Sequence, residues 1–306
     1  MKSLIVSALI LITSTIYAQQ QNVLLSKADS LLSMKKYIDA CKTYQQALQH
    51  EKLDASIYYN AACACSLGND TTSALSFLRD AANAGYYNTK WMSKDSDLKG
   101  LRETSQWNSI LELVQANLDE YEKDFDKPLK EKLEKIYVKD QTLRLLYNEA
   151  LEKFGRGSEE MDFFWETIAK QDSINEKEVI EIIETRGWVG TSVVGDRANM
   201  ILWLVIQHAP VEVEERYLPL LRESVLKGES KGRHLAMLED RINMYKGLPQ
   251  VYGSQITTDT ETGKYVLYKL IDPEYVNQRR KEIGLGPIEE YVKKWNIEFN
   301  IEQRVK

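Results

Sequence analysis

A repeat constrains this chain more than any other feature. Ala28, Ala40, Tyr44 and Ala47 are followed, 34 residues further on, by Ala62, Ala74, Leu78 and Ala81. Small residues at that spacing let antiparallel helices approach closely, and a unit recurring at a fixed period buries its apolar face by stacking on its neighbours. The spacing predicts two helical hairpins, "KADSLLSMKKYIDACKTYQQAL" and "NAACACSLGNDTTSALSFLRDA". Two units are fewer than the roughly three that usually bury a continuous stack. A closing element is therefore expected in "NTKWMSKDSDLKGLRETSQWNSILELV", with Trp91, Leu98, Leu101, Trp107, Ile110 and Leu111 as its core.

These stretches resemble tetratricopeptide (TPR) repeats, with Leu24 and Tyr58 where a large aromatic usually stands. The resemblance implies a concave groove that binds peptides, lined by the first helix of each pair and including Leu25, Asp29, Tyr59, Asn60 and Cys63. Repeat domains that clamp a C-terminal carboxylate carry a lysine and an asparagine where this chain has Leu25 and Asp29. Only Asn60 suits such a clamp, so the implied partner is a protein or peptide with a neutral or apolar face.

The first eighteen residues, "MKSLIVSALILITSTIYA", place Lys2 before an apolar run from Leu4 to Ile12 and end on Ala18. This is the pattern of a secretory signal, and the run is shorter than the ~18 residues that span a bilayer. The expectation is an exported protein, periplasmic or secreted, with no stable membrane span after cleavage. Export raises the question of disulfides. Cys63 and Cys65 lie two apart on one helix and cannot bridge each other, while Cys41 reaches either only across a helix pair. With an odd count and no C-x-x-C pattern, the expected state is three small buried thiols without a bound metal. A net charge of -6 without a basic stripe argues against nucleic acid as a partner.

A chain of 306 residues favours two domains. The expected order is a signal peptide at 1–18, a TPR-like domain with capping helices at 19–118, a charged linker at 119–134 broken by Pro128, and a helical domain at 135–306. In the last, Asn175 and Glu178 suit a capping box and Gly187 a helix stop. Asp196 can open the next helix, which Pro210 closes. Gly228 and Gly247 end two further helices. "VYGSQIT" and "KYVLYKLI" flank a turn and read as the hairpin, and short helices follow Pro273 and Pro287. The class is mainly α: a short helical-hairpin array, then a helical domain with one small β-hairpin.

Over roughly 135–300, the ordered series "DQTLR", "GWVG", "IQHA", "DR", "VYGSQ", "DPE" and "RRKEIGL" resembles a bacterial domain of unknown function, family 6624. The resemblance implies a fold and no activity. Pro210 departs from it, since an acidic residue usually follows "QHA" there.

The polar motifs admit two readings. His208 continues the inward face of Ile201, Leu204 and Val205, and Arg241 shares an apolar arc with Leu238, Ile242 and Tyr245, so a buried Arg241 needs a carboxylate or a ligand. In one reading these are structural: His208 is a hydrogen-bonded core residue, Asp140 or Asp272 pairs with Arg241, and Arg279 or Arg280 pairs with Asp240. In the other, Gln207, His208, Asp240, Arg241, Gln255 and Arg280 converge on a cleft as a hydrolase- or transferase-like site, with His208 as general base. No phosphate loop, G-x-S-x-G or H-E-x-x-H motif occurs, and His50, His208 and His234 are too few for a histidine-rich metal site. No cofactor is expected. The favoured function is an exported interaction or scaffold protein, with the enzyme as the alternative.

Overall fold

The computed structural model describes residues 20–48 and 53–305; the expected signal segment and His50 lie outside them. The chain divides into two units, Met1–Lys123 and Asp124–Lys306. It is mainly α-helical, with one two-stranded hairpin near the C-terminus. Among the described residues no helix is long and apolar enough to cross a membrane.

The first unit contains α1 (20–33), α2 (Tyr37–Ala47), α3 (Ala55–Leu67), α4 (Thr71–Asn83), a single turn α5 (Thr89–Met92), a 3-10 turn at Ser96–Leu101, and α6 (Trp107–Tyr121). The 34-residue period is a period of structure as well as of sequence. Lys35 and Asn69 both adopt left-handed backbone, at φ 60° and 62°. The turns they make close alike, Lys36 N donating to Leu31 O at 2.9 Å and Asp70 N to Cys65 O at 2.8 Å. The alanines and Tyr44/Leu78 of the repeat are all buried.

Two expectations for this unit are corrected. Cys41 of α2 and Cys65 of α3 form a disulfide, their Cα atoms 4.7 Å apart, and only Cys63 is a free thiol. The close helix approach that the alanines permit brings those two sulfurs together. In the closing element Leu98, Leu101, Trp107 and Ile110 are buried as expected, but Trp91 is exposed and Met92 fills the core instead. Asn88 caps α5 by accepting from Trp91 N at 3.1 Å, which sets the turn so that the following residue points inward.

The second unit begins with α7 (Lys127–Leu145) and α8 (Tyr147–Phe154), followed by the long α9 (Glu159–Arg186). Residues 127–134, within the stretch expected as a linker, are the first two turns of α7, with Pro128 in its opening turn and Leu129 and Leu133 buried. No helix starts at Asn175: α9 runs straight through it, and the buried Asn175 accepts from Gln171 Nε2 at 2.8 Å instead of capping. α10 (Thr191–Ile206) is buried on every side from Ile201 to Ile206, the signature of a helix at the centre of a core. It is interrupted at Gly195 (φ 79°), so Asp196 does open a new helical stretch. Against it pack α7, α9 and α11 (Val211–Leu226), while α12 (Gly232–Tyr245) packs on α11 and reaches α10 through His234, stacked on Trp203.

The "GWVG" segment links α9 to α10. A Cβ at Gly190 would lie 2.2 Å from Glu229 Oε2, so only glycine fits against that carboxylate. Glu229 in turn accepts Ser192 N at 2.8 Å, placing an acid at the positive end of α10. After α12, β1 (Ile256–Thr258) pairs with β2 (Tyr265–Leu267), Thr257 opposite Val266. A 3-10 turn, Pro273–Tyr275, leads into α13 (Val276–Glu282), and α14 (Ile288–Val292) completes the unit.

Candidate functional site

α10 is too apolar to end in water, so its last turn delivers Gln207 and His208 into the body of the second unit. There they meet the "DQTLR" face of α7. His208 Nδ1 lies 3.2 Å from Oδ1 of Asp140, a carboxylate only 1% exposed. Gln141 donates to the other oxygen at 2.6 Å. Arg144, one turn on, sits 3.5 Å from Asp140 and holds both oxygens of Asp172 on α9, at 2.8 and 2.7 Å. Burial alone would raise the Asp140 carboxyl, but the hydrogen bonds from His208 and Gln141, with the charges of His208 and Arg144, outweigh it and hold the group below the usual carboxylate range. An ionised Asp140 only accepts, so Nδ1 is the donating nitrogen of His208, and in the neutral form of the ring Nε2 is the acceptor. The ring is partly open to solvent.

Ligand atoms of Asp140, Asp172 and His208 lie within 4.8 Å of one another, close enough to share a divalent cation. The Arg144 guanidinium already bridges the two carboxylates, and a metal ion would have to displace it.

Arg241 takes no carboxylate from Asp140. Its Nη1 donates to the backbone carbonyl of Gln207 at 2.7 Å, satisfying the negative end of α10. The same charge reaches Glu214, in the first turn of α11, which is 1% exposed and whose Oε2 has no hydrogen-bond partner. Burial pushes the Glu214 carboxyl up to about 7, against the pull of Arg241.

The other expected site residues serve a different purpose. Asp240 is fully buried and accepts the backbone N–H groups of Val251, Tyr252 and Ser254 at 2.6, 3.0 and 2.8 Å. Arg279 Nε and Arg280 Nη1 donate to the carbonyls of Val251 and Tyr252, each at 2.8 Å. Gln255 bonds Met237 O at 3.2 Å. The arginines therefore pair with the carbonyls of the "VYGSQ" loop and not with Asp240. The six-residue cleft expected from the motifs resolves into two places: Gln207, His208 and Arg241 at the end of α10, and Asp240, Gln255 and Arg280 around this loop.

In the first unit, Tyr59 and Cys63 of the expected groove point inward. Both reach Asp95 Oδ2, at 2.8 and 3.8 Å, beneath the closing element. Burial, and then the Asp95 carboxylate, raise both groups far above their ordinary ranges, so Cys63 stays an unreactive thiol. Leu25 is half-buried against its neighbours, whereas Asp29 and Asn60 are exposed.

Sequence reasoning missed Asp172, Glu214 and the role of His234. Asp172 stands on the stripe of α9 that carries Ile168, Asn175, Val179 and Ile182, and a charged residue on an inward stripe was the available signal. His234 stacks on Trp203 at 4.4 Å, and burial, followed by the charges of Arg233 and Lys231, lowers it to about 4. It is a neutral core residue.

The model of the Family of unknown function (DUF6624) matches residues 129–304, more than half of the chain. The chain belongs to this family. No curated protein and no solved structure matches it. All of "DQTLR", "IQHA" and "VYGSQ", and hence both polar clusters, fall within the family domain.

Glu214 yields a pH dependence. Its folded value of about 7 lies above the 4.5 of an ordinary glutamate, so the native state binds the proton more tightly than the unfolded chain. That stabilisation is full below the unfolded value and is lost as pH rises through about 7. Glu214→Gln, which resembles the protonated side chain, should gain up to about 3 kcal/mol over wild type on going from about pH 4 to about pH 8. Urea unfolding at the two pH values measures the difference; a pH-independent difference contradicts it.

Proposed function

We propose that the protein is exported and works as an interaction scaffold, the first unit holding a protein or peptide partner and the DUF6624 unit presenting a separate polar site. The carrying observation is the recurrence, at 34 residues, of the same left-handed turn and the same closing hydrogen bond in two consecutive helical hairpins. Together with the alanine pattern, this supports a TPR-like array, whose usual work is recognition. Export is supported by the apolar leader pattern and by the Cys41–Cys65 bond, since such bonds persist in oxidising compartments.

With Tyr59 and Cys63 sealed under Asp95, the available groove is narrower than the repeats alone imply. It comprises exposed Ser56 and Asn60 on α3 and Asp29 on α1. This surface is polar and weakly charged, which favours an uncharged peptide segment over an acidic tail. Ser56→Arg with Asn60→Arg tests the reading, because both positions are exposed and the changes spare the core. Used as bait in a cell-envelope extract, wild type should retain a partner that the double variant loses at unchanged melting temperature. Equal recovery by both contradicts groove binding.

A second reading rests on His208. A histidine oriented through Nδ1 by a buried carboxylate, with Nε2 free to accept, has the base-and-orienter arrangement of acid–base catalysis. Arg144, held by Asp172, then acts as a positioning group whose charge helps to keep Asp140 ionised. This reading predicts that a hydrolytic or transfer activity, screened on ester, phosphoester and peptide substrates, falls by about 10²-fold or more in His208→Gln. An activity untouched by that change excludes His208 as base.

A further inference from the structure

The second unit contains a cleft of about 460 Å³ beside α12, α13 and α14, distinct from the His208 cluster. Three cations line it: Arg233 of α12, Arg280 of α13 and Lys294 just beyond α14. Its walls are apolar, formed by Met237, Leu285 and the Tyr291 ring. The one acid on the lining, Glu290, pairs with Lys293 at 2.8 Å.

The charges are out of balance. Arg280 is only 4% exposed, yet no carboxylate forms a salt bridge with it among the described residues. Its Nε and Nη1 are spent on the carbonyls of Gly286 and Tyr252, at 2.7 and 2.8 Å, and Nη2 has no acceptor among the described residues. The two anions whose fields reach it are already engaged, Asp240 by loop N–H groups and Glu289 by Asn277 Nδ2 at 3.0 and 2.8 Å. Arg233 spends only Nε, on His234 at 3.3 Å, and Lys294 contacts the Tyr291 ring at 5.6 Å. Arg280 lies 5.1 Å from the same ring. Two nearby lysines differ, Lys293 pairing with Glu290 and Lys231 with Asp196.

A buried guanidinium without a counter-charge is costly to keep, and two more unpaired cations at the same opening add to the positive field. An anion supplied from solution relieves all three together. Clefts of roughly 300 Å³ and upward accommodate small organic molecules. We infer that this cleft binds a small organic ester of a tetrahedral oxyanion, phosphate or sulfate, with its oxygens on Arg233, Arg280 and Lys294 and its apolar or aromatic group against Met237, Leu285 and Tyr291. Three cations with guanidinium forks match the three terminal oxygens of such an ester better than the two of a carboxylate, and a doubly charged phosphate monoester balances them most fully.

Isothermal titration of the full chain with phenyl phosphate, phenyl sulfate, benzoate and inorganic phosphate tests the site. Saturable binding of phenyl phosphate, phenyl sulfate or both is expected, weakening as salt is raised, with benzoate and inorganic phosphate weaker. The phosphate and sulfate arms show which ester is preferred. R233Q and K294Q replace exposed side chains and should retain the wild-type melting temperature while weakening binding about tenfold or more. K231Q, whose lysine pairs with Asp196 and does not line the cleft, should bind as wild type does. The assignment is overturned if neither phenyl ester binds saturably, if R233Q and K294Q leave affinity unchanged, or if benzoate binds as tightly as the esters.

Discussion

Taking charge out of water is the constraint on which the second unit depends. A buried ion is tolerated when hydrogen bonds or a counter-charge replace its hydration, and otherwise it loses or gains a proton or recruits a ligand. Around α10 and α12 the chain buries Asp140, Asp240, Glu214 and Arg280, and each meets this constraint differently. Asp240 gathers backbone N–H groups and thereby fixes the "VYGSQ" loop, whose carbonyls accept from Arg279 and Arg280. Asp140 is satisfied by side chains, and one of these, His208, is left with a free ring nitrogen. Glu214 has too few donors and holds a proton up to about pH 7. Arg280 has carbonyls but no counter-ion, which points outward to a ligand.

The same accounting separates structure from function. A buried polar group with every hydrogen bond made within the protein has nothing left to offer a substrate, and Asp240 and Tyr59 are of that kind. Groups with an unspent donor or acceptor at a partly open surface are His208, Arg233, Arg280 and Lys294. They form two separate clusters within one family domain, so acid–base chemistry and anion binding need not share a cleft. In the first unit, no comparable unspent group is buried at Tyr59 or Cys63, and the proposed recognition rests on the exposed strip at Ser56 and Asn60.

Much of this was legible in the sequence where the signal is local. The alanine period announced the two hairpins because close helix approach demands small residues at fixed places. The apolar run Ile201–Ile206 announced the central helix, and Gly187, Gly228 and Gly247 its neighbours' ends, all three with positive φ. What stayed hidden depends on distance across helices. The Cys41–Cys65 pair needs the separation of α2 and α3; the Arg144–Asp172 contact needs α7 beside α9. Asn175 and Glu178 looked like a helix start since cap residues carry the same side chains wherever they stand, and only the continuous turns before Asn175 show otherwise. The division of the motif residues between two places was hidden for a similar reason. Residues gathered by order in the chain, Asp240 and His208 among them, were separated by the direction their helices run.

The claim that buried Asp140 orients His208 is tested most directly by nitrogen-15 NMR of the imidazole, with the side chain labelled in the full-length protein. The neutral ring should carry its proton on Nδ1, donated to Asp140, with Nε2 unprotonated, and Asp140→Asn should shift the tautomer balance. A neutral His208 protonated on Nε2, indifferent to the change at Asp140, would contradict the account.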